Sequence, residues 1–468
     1  MWVFALRILN RALGFVRTII LARLLTPEDF GLLGIGILAI STLDTFSQTG
    51  FHAALIQKKQ DTSSYLDIAW TISVIRGILL FIVLLLFAPV IATFLKYPQA
   101  TLVVRLIAVT ILFSGCTNIG MVLLQKELEF NKKFVYEFSA TIVDLVVSIF
   151  LAFFLKSVWA LVWGGLSAGF VKLLMSYLIH PYRPKIKFDK EKFNNLFSFG
   201  KWVLGGSILV FLITKGDDII VAKMLGVTSL GLYQMAYLIA NLSATEITHI
   251  ISQVTFPAYS KIQNDVCRLR EAYIKVLKIT SFMAIPLTGC IFIIAPEFIK
   301  TCFGNKWSSI IPVTQILVFA GLLRSLVSTC GPLFHGIGKP KIDTYCQIIR
   351  FIGLCAVIYP FTLQWGLIGT SIAVLFSIAI ATFCFCFMAI KVTKCKISDF
   401  GKIIGLPILN TIVMILIVFV VKLKIPLYGI FQIIELVGIC LLINLIFIYI
   451  VEKFHNFEML KLIKSTIY

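Results

Sequence analysis

The sequence contains few charged residues, and acidic residues are especially scarce. Only 14% of its 468 residues are charged, and 22 Asp and Glu stand against 42 Lys and Arg. With 59% hydrophobic residues, this scarcity excludes a soluble globular protein. Because the basic residues are spread along the chain rather than gathered in one domain or tail, we expect no nucleic-acid partner.

The sequence also lacks the patterns that metal sites and membrane enzymes require. Its 11 cysteines include no C-x-x-C pair, so we interpret them, Cys384 and Cys386 included, as apolar core residues and expect no metal and no cofactor. The longest connector, about 180–195, is too short for a soluble domain. A membrane glycosyltransferase or polysaccharide polymerase normally needs acidic residues on a sizeable outer loop. We therefore predict that the protein is not an enzyme and keep this class as a weaker alternative.

Long apolar runs dominate the chain and predict fourteen membrane spans. These lie near 3–25, 30–53, 66–95, 101–124, 134–155, 158–180, 196–221, 229–256, 274–299, 309–334, 343–363, 366–390, 403–421 and 428–451. Alternate connectors carry 23 and 7 Lys and Arg residues. Since cytoplasmic loops hold the excess of positive charge, we predict a multi-pass protein of the bacterial cytoplasmic membrane with both termini in the cytoplasm.

An internal repeat relates the two halves of the chain. Ala22-Arg23-Leu24-Leu25 with Gly31-Leu32 returns 200 residues later as Ala222-Lys223-Met224-Leu225 with Gly231-Leu232, and two further anchors, Ala88-Pro89 and Trp159, recur at similar displacements. Parallel repeats are typical of transporters. We predict an all-α polytopic fold with about 14 transmembrane helices in two pseudo-symmetric lobes around a central cavity. The expected divisions are 1–180 for the N-terminal lobe, 181–195 for a cytoplasmic linker, 196–390 for the C-terminal lobe, and 391–468 for spans 13 and 14 with the tail.

The first span carries arginines at depths where they are costly. Arg11 and Arg17 fall well inside the predicted span, and each arginine at the bilayer centre costs about 2.5–3.5 kcal/mol on insertion scales. At about 100° per residue, they lie with Arg7 within one arc of about 120°, whereas Arg23 is at the helix end and can reach the headgroups. Either the arginines are anchors beside the interface, or the segment lies on the membrane surface as an amphipathic helix, or it is the basic wall of a cavity for an anionic substrate.

Three stretches of the first half resemble a known family. ARLLTPEDFG at 22–31, GFHAALIQ at 50–57 and DIAW at 67–70 resemble the polysaccharide transporter family within the multidrug/oligosaccharidyl-lipid/polysaccharide superfamily. The resemblance implies two lobes and transport of undecaprenyl-diphosphate-linked oligosaccharide across the cytoplasmic membrane for O-antigen, capsule or exopolysaccharide synthesis. It also implies that the partners of the protein are a lipid-linked oligosaccharide and the lipid bilayer. A polysaccharide polymerase and a chain-length regulator are candidate protein partners.

The motif RALGFVR at 11–17 is similar to the Arg-x-Leu-Gly-x-x-Arg pattern of lipid II flippases. In those proteins the two arginines bind the substrate diphosphate, which implies the same role for Arg11 and Arg17. The likeness ends in the second span, where lipid II flippases have a further arginine and this chain has Asp44. Lipid II is therefore not the expected cargo.

Other charged residues within spans extend the candidate site. Substrate-binding candidates, each equally explained by a structural pair, are Arg76, Lys172, Lys215, Arg324 and Arg350. Ion-coupling candidates, for which a plain salt bridge is the favoured alternative, are Asp44, Asp144, Asp217 and Glu246. Asp217 stands where the 200-residue repeat places the counterpart of Arg17. A cation-coupled drug or metabolite antiporter of the same superfamily is the alternative function, but the basic first span disfavours it.

Overall fold

A computed structural model describes residues 2–48, 63–127, 129–187, 189–242, 255–424 and 429–455. In these ranges every long element is an α-helix. The helices are α1 (Trp2–Leu24), α2 (Pro27–Phe46), α3 (Ser63–Phe94), α4 (Ala100–Ile107), α5 (Val109–Cys116), α6 (Met121–Lys126), α7 (Phe130–Leu155), α8 (Val158–Ile179), α9 (Lys190–Leu225), α10 (Val227–Ala240), α11 (Val266–Phe298), α12 (Ile310–Val327), α13 (Cys330–Gly336), α14 (Pro340–Thr393), α15 (Ile397–Lys424) and α16 (Ile430–His455).

Nine helical segments within the described ranges are long and apolar enough to cross a membrane, and two shorter apolar helices accompany them. The longest of them, α14, contains the predicted spans 343–363 and 366–390, which meet at Gly366. That residue has φ of 56°, a conformation that suits glycine because it has no Cβ. The all-α, polytopic membrane fold is confirmed, while the number of fourteen crossings stays a prediction.

The start of α2 shows how local sequence fixes a boundary. The Thr26 hydroxyl accepts a hydrogen bond from the backbone N–H of Asp29, and the Asp29 carboxylate accepts one from the backbone N–H of Thr26 at 2.9 Å. This capping box satisfies two backbone donors at the helix start. Pro27 follows directly, at a position where its missing N–H costs nothing.

The chain forms two compact units, Met1–Leu232 and Tyr233–Tyr468. A compact unit is defined by packing and need not end where a sequence repeat ends. The predicted divisions at 180, 195 and 390, and the predicted central cavity, therefore stay predictions.

In the first unit, α2 and the start of α10 are in backbone contact. A Cβ added at Gly31 would overlap the carbonyl oxygen of Val227, and a Cβ added at Gly231 would overlap that of Pro27. Adding 200 to Gly31 gives Gly231, and subtracting 200 from Val227 gives Pro27. The 200-residue repeat therefore converts the first contact into the second. Reciprocal pairing of this kind is characteristic of two-fold symmetry, and it joins the same two segments that the sequence repeat identifies.

The first part of the predicted linker is fixed to α3 rather than free. The Asp67 carboxylate accepts hydrogen bonds from the Tyr182 hydroxyl and, at 3.0 Å, from the backbone N–H of Lys185. The Thr71 hydroxyl accepts one from the backbone N–H of Lys187 at 3.1 Å. Burial and the adjacent carboxylate raise the pKa of Tyr182, so its hydroxyl remains a donor. Residues 181–187 therefore belong structurally to the first unit.

The core of the second unit contains several cysteines. Cys330 and Cys346 are buried in one cluster with Tyr273 and Phe385, and the Tyr273 hydroxyl lies 3.3 Å from the Cys330 sulfur. Cys384 and Cys386 pack against the same cluster. The interpretation of these cysteines as apolar core residues is thus consistent with their surroundings.

Candidate functional site

Arg17 is held between α1 and α7 by a carboxylate and a hydroxyl. Its Nη2 lies 2.7 Å from Oδ1 of Asp144, and its Nε donates to the Ser148 hydroxyl at 2.9 Å. The side chains of Arg17 and Asp144 are 18% and 23% exposed. Asp144 therefore forms a salt bridge, which is the alternative to ion coupling that the sequence left open. For Arg17, the same carboxylate is a neighbour that competes with any bound anion.

The arrangement of Asp144 and Ser148 around Arg17 follows from helix periodicity and from one glycine. Ser148 lies four residues after Asp144, so both side chains are on the same face of α7. Gly164 on α8 packs against this face. A Cβ added at Gly164 would lie 2.7 Å from Oδ1 of Asp144 and 2.7 Å from Cβ of Ser148. The close approach of α7 and α8 therefore depends on the missing side chain at residue 164.

We expect Gly164→Ala to displace the Asp144 carboxylate from Arg17 and to lower transport, because its methyl group occupies the space of that carboxylate. Gly165→Ala is the matched control, since a Cβ at Gly165 has no heavy atom within 4 Å and alanine favours a helix over glycine by about 1 kcal/mol. Surface polysaccharide and thermal stability in detergent, measured for both variants, test this expectation. Equal values for the two would contradict it.

Arg11 and Lys172, two further basic candidates of the first unit, are both exposed. Arg11 lies on α1. Lys172 lies on α8 and has a favourable electrostatic interaction with Asp144. Asp144 therefore has two cations near it, Arg17 in direct contact and Lys172 at longer range.

Arg76 binds the C-terminal end of α2. Its Nη2 donates to the backbone carbonyl and the carboxylate of Asp44 at 2.7 and 2.6 Å, and its Nε donates to the Ser47 carbonyl at 2.9 Å. A cation at this end of a helix neutralises the partial negative charge of the last carbonyls. These contacts favour the structural role for Arg76 and the salt bridge for Asp44.

The charges of α9 are also arranged in contacts with each other. Nζ of Lys215 lies 3.0 Å from Oδ2 of Asp218, which is the pairing that the three-residue spacing allows. Asp217 is buried, and its carboxylate accepts a hydrogen bond from the backbone N–H of Asp218 at 3.0 Å. Glu246 lies outside the described residues.

Arg324 and Arg350 are brought together in the second unit, where both line one pocket of about 280 Å³. Ser148, Gly164 and the pocket residue Gln347 were not among the predicted site residues. The four-residue spacing from Asp144 is the only sequence signal that points to Ser148, and a lone serine at that spacing is common in membrane helices.

The fold and the sequence both have known relatives. Residues 20–312 match the family described as polysaccharide biosynthesis protein. The chain is 29% identical over 87% of its length to an uncharacterized membrane protein in the cps region of Klebsiella pneumoniae, and covers 85% of it. It is 30% identical over 71% of its length to the lipopolysaccharide biosynthesis protein WzxC of Escherichia coli (strain K12), and covers 67% of it.

A structural relative covers almost the whole chain. The lipid II flippase MurJ in an inward closed conformation superposes with a TM-score of 0.76 over 97% of this chain and 99% of that one, at 18% sequence identity. At this identity the likeness concerns the fold alone, which is an all-α membrane fold of two lobes. The sequence match covers more than half of the chain, so the protein belongs to the polysaccharide biosynthesis protein family, and the resemblance seen in its first three spans is confirmed.

Proposed function

We propose that the protein is a flippase that moves undecaprenyl-diphosphate-linked oligosaccharide repeat units across the bacterial cytoplasmic membrane by alternating access. The transported repeat units are then used for surface polysaccharide synthesis on the outer side of the membrane. The observation that carries this proposal is Arg17 on α1, a half-buried arginine within the first predicted span that is held by one carboxylate. Family membership and the relatives named above support the same class of cargo.

The chemistry of the site suits a diphosphate. A guanidinium binds phosphate oxygens through paired, charge-assisted hydrogen bonds and stays charged at any working pH. A diphosphate cannot enter hydrocarbon without such compensation, because an isolated buried charge costs many kcal/mol. Arg11, six residues earlier on α1, supplies a second guanidinium. No covalent bond is made or broken in this process, and the protein needs no catalytic residue and no cofactor for it.

The Arg17–Asp144 ion pair gives substrate binding an energetic cost and couples it to ions. When Arg17 turns to a phosphate, Asp144 loses its direct partner while still half buried. The ammonium of Lys172, which already interacts with Asp144, or a proton or sodium ion then balances its charge. Asp144 is for this reason the ion-coupling residue that we favour among the acidic candidates.

The proposal is tested by a flipping assay. The purified protein is reconstituted into liposomes with a fluorescent undecaprenyl-diphosphate-linked oligosaccharide, and a membrane-impermeant reductant reports how much of the lipid reaches the outer leaflet. We expect transport above the rate of protein-free liposomes and no change in the oligosaccharide itself. Transport equal to the protein-free rate would refute the proposed function, and efflux of an organic cation instead would establish an antiporter.

Orientation in the membrane is proposed from the charge of the connectors, with both termini in the cytoplasm. In Lys187→Cys and Lys300→Cys variants, a membrane-impermeant maleimide added to intact cells is expected to label residue 300 and not residue 187. Both residues are exposed, so access to water and not burial decides the result. The parent chain, with its 11 native cysteines, gives the background. Labelling of residue 187 alone would reverse the orientation.

A polysaccharide polymerase and a chain-length regulator are the proposed protein partners, since the released repeat unit is the substrate that a polymerase joins. Co-purification of either one with the tagged protein from cross-linked membranes tests this proposal.

A further inference from the structure

A proline recurs near the end of one long helix in each unit. The anchor Ala88-Pro89 of the sequence repeat lies in α3, and its counterpart Ala295-Pro296 lies in α11, 207 residues later. Proline has no N–H to give to the carbonyl four residues earlier in a helix, and its ring crowds that carbonyl. At each of these prolines, one carbonyl is therefore left without its usual helical donor.

A side chain from the following helix donates to each of these carbonyls. Nε of Arg105 on α4 lies 3.2 Å from the carbonyl oxygen of Leu85, four residues before the first proline. Nε2 of Gln315 on α12 lies 3.2 Å from the carbonyl oxygen of Phe292, four residues before the second. The two donor nitrogens have the same place in their side chains, since each is bonded to the δ carbon. Arginine and glutamine thus form the same hydrogen bond here.

The two donors are also counterparts in the repeat. Arg105 and Gln315 are 210 residues apart and both half-buried. Every buried position of α4 has a buried counterpart 210 residues later. The positions are Ala100, Val103, Val104 and Ile107 in α4, and Ile310, Val313, Thr314 and Leu317 in α12. The two halves of the chain therefore share the proline and its substitute hydrogen bond, although the donor residue differs.

The second unit adds a contact from α15. Nζ of Lys422 donates to the carbonyl oxygen of Ile293, which follows Phe292. The same nitrogen lies 2.7 Å from Oε2 of Glu297, the residue directly after Pro296. One lysine thus joins the segments before and after the proline, and α11 is held at this point by two neighbouring helices.

We propose that Pro89 and Pro296 are hinges at which the ends of α3 and α11 bend during transport, and that Arg105 and Gln315 are the positioning residues that hold them in the observed conformation. The segment beyond a proline is joined to its helix by one backbone hydrogen bond fewer, and kinks concentrate at such places. The side-chain donor replaces the missing bond and releases it when the helix bends. The inference rests on the proposed function for the transport step but not for the hydrogen bonds.

The place of the two prolines suits alternating access. By the charge of the connectors, α3 and α11 run outward, so both prolines are near the outer ends of their helices. Hinges are typically a few residues at element ends that absorb changes in φ and ψ. The segments that bend are short, residues 90–94 of α3 and residues 297–303 at and beyond the end of α11.

Hydrogen–deuterium exchange in the full-length protein in nanodiscs tests the two hydrogen bonds without any cargo. Arg105→Leu is expected to speed up exchange of the amides of residues 90–94 by roughly tenfold, since the loss of one hydrogen bond shifts a local opening equilibrium by about this factor. Gln315→Leu is expected to have a smaller effect on residues 297–303, because Lys422 still holds them. Arg105→Gln, which keeps a nitrogen at the same place, is the matched control and should exchange at the parent rate. Parent rates in Arg105→Leu would overturn the proposal.

Removal of the proline separates a hinge from a contact that only stabilises the fold. Pro89→Ala restores an N–H for the carbonyl of Leu85, so α3 continues without the donor from Arg105. We expect Pro89→Ala/Arg105→Leu to have at least the thermal stability of the parent chain, while surface polysaccharide stays roughly tenfold below the parent level because the helix no longer bends. Parent levels of both would show that the contact serves stability alone and would overturn the hinge.

A proline outside the repeat supplies the control for this substitution. Pro407→Ala removes a proline from the interior of α15, a helix that the repeat does not include, and we expect surface polysaccharide at the parent level. A loss as large as that of Pro89→Ala would overturn the assignment of the hinges to the repeated pair. Since the exchange measurement needs no cargo, its outcome is independent of the flipping assay that tests the proposed function.

Discussion

Replacing Arg17 with alanine is expected to abolish surface polysaccharide in a strain that depends on this protein. In the proposed mechanism Arg17 binds the diphosphate, and a hydrogen bond to a charged group contributes about 1.5–3 kcal/mol. That range corresponds to about a 10- to 150-fold loss of binding. Staining of the surface glycan and accumulation of lipid-linked repeat units in the membrane measure the effect.

A structural role of Arg17 would also reduce transport, and the ion pair allows the two roles to be separated. Arg17→Ala leaves Asp144 as a half-buried carboxylate without its direct partner, and breaking a buried pair in this way costs about 3–5 kcal/mol. The double variant Arg17→Ala/Asp144→Asn removes both charges and with them this cost. We expect the double variant to recover expression and thermal stability but not transport. Recovery of transport as well would show that Arg17 serves only to neutralise Asp144.

Two further variants complete the series. Arg17→Lys keeps a positive charge beside Asp144 but loses the planar fork that binds two phosphate oxygens, so we expect normal stability with reduced transport. Arg23→Ala is the control, since Arg23 is exposed at the end of α1 and is expected to have a milder effect. If Arg23→Ala and Arg17→Ala reduce surface polysaccharide equally, general membrane anchoring explains both.

The sequence is a good guide to the elements because membrane spans are defined locally. Apolar composition predicted the helices, and the 200-residue repeat identified the segments around Gly31 and Gly231 that pack together. Gly366 shows a boundary that depends on one residue, because its backbone conformation ends one predicted span and begins the next. Each of these features is determined by residues close together in the chain or by a repeated pattern.

The pairing of charges could not be predicted from the sequence in the same way. Arg17 and Asp144 are 127 residues apart, and Asp44 contacts Arg76 from another helix. Many cations and carboxylates lie within the predicted spans, so composition alone does not select the pairs. Arg324 and Arg350 were predicted as basic residues of a cavity, but their sharing of one pocket depends on the packing of α12 against α14. Only the packing of helices decides these matters.

Gly31→Ala and Gly231→Ala are each expected to destabilise the protein and to reduce surface polysaccharide by roughly tenfold. Adding methylene-sized groups to a tight interior contact typically costs about 1–3 kcal/mol, and the obstacle here is a backbone carbonyl, at Val227 for one glycine and at Pro27 for the other. A side chain can rotate away, but a backbone can be avoided only if α2 and α10 separate. The control is Gly205→Ala, where a Cβ meets no heavy atom within 4 Å and where we expect no loss.

The reciprocal geometry makes a sharper prediction for the double variant. Once one methyl group has moved α2 away from α10, the second finds its space already open, so Gly31→Ala/Gly231→Ala should cost less than the sum of the single changes. Contacting residues often show coupling of about 0.5–3 kcal/mol, whereas distant sites add. A double-variant cycle of melting temperatures, with surface polysaccharide measured in parallel, determines the coupling. Strict additivity would mean that the two glycines do not share one contact, and wild-type stability in both single variants would mean that α2 and α10 do not pack through their backbones.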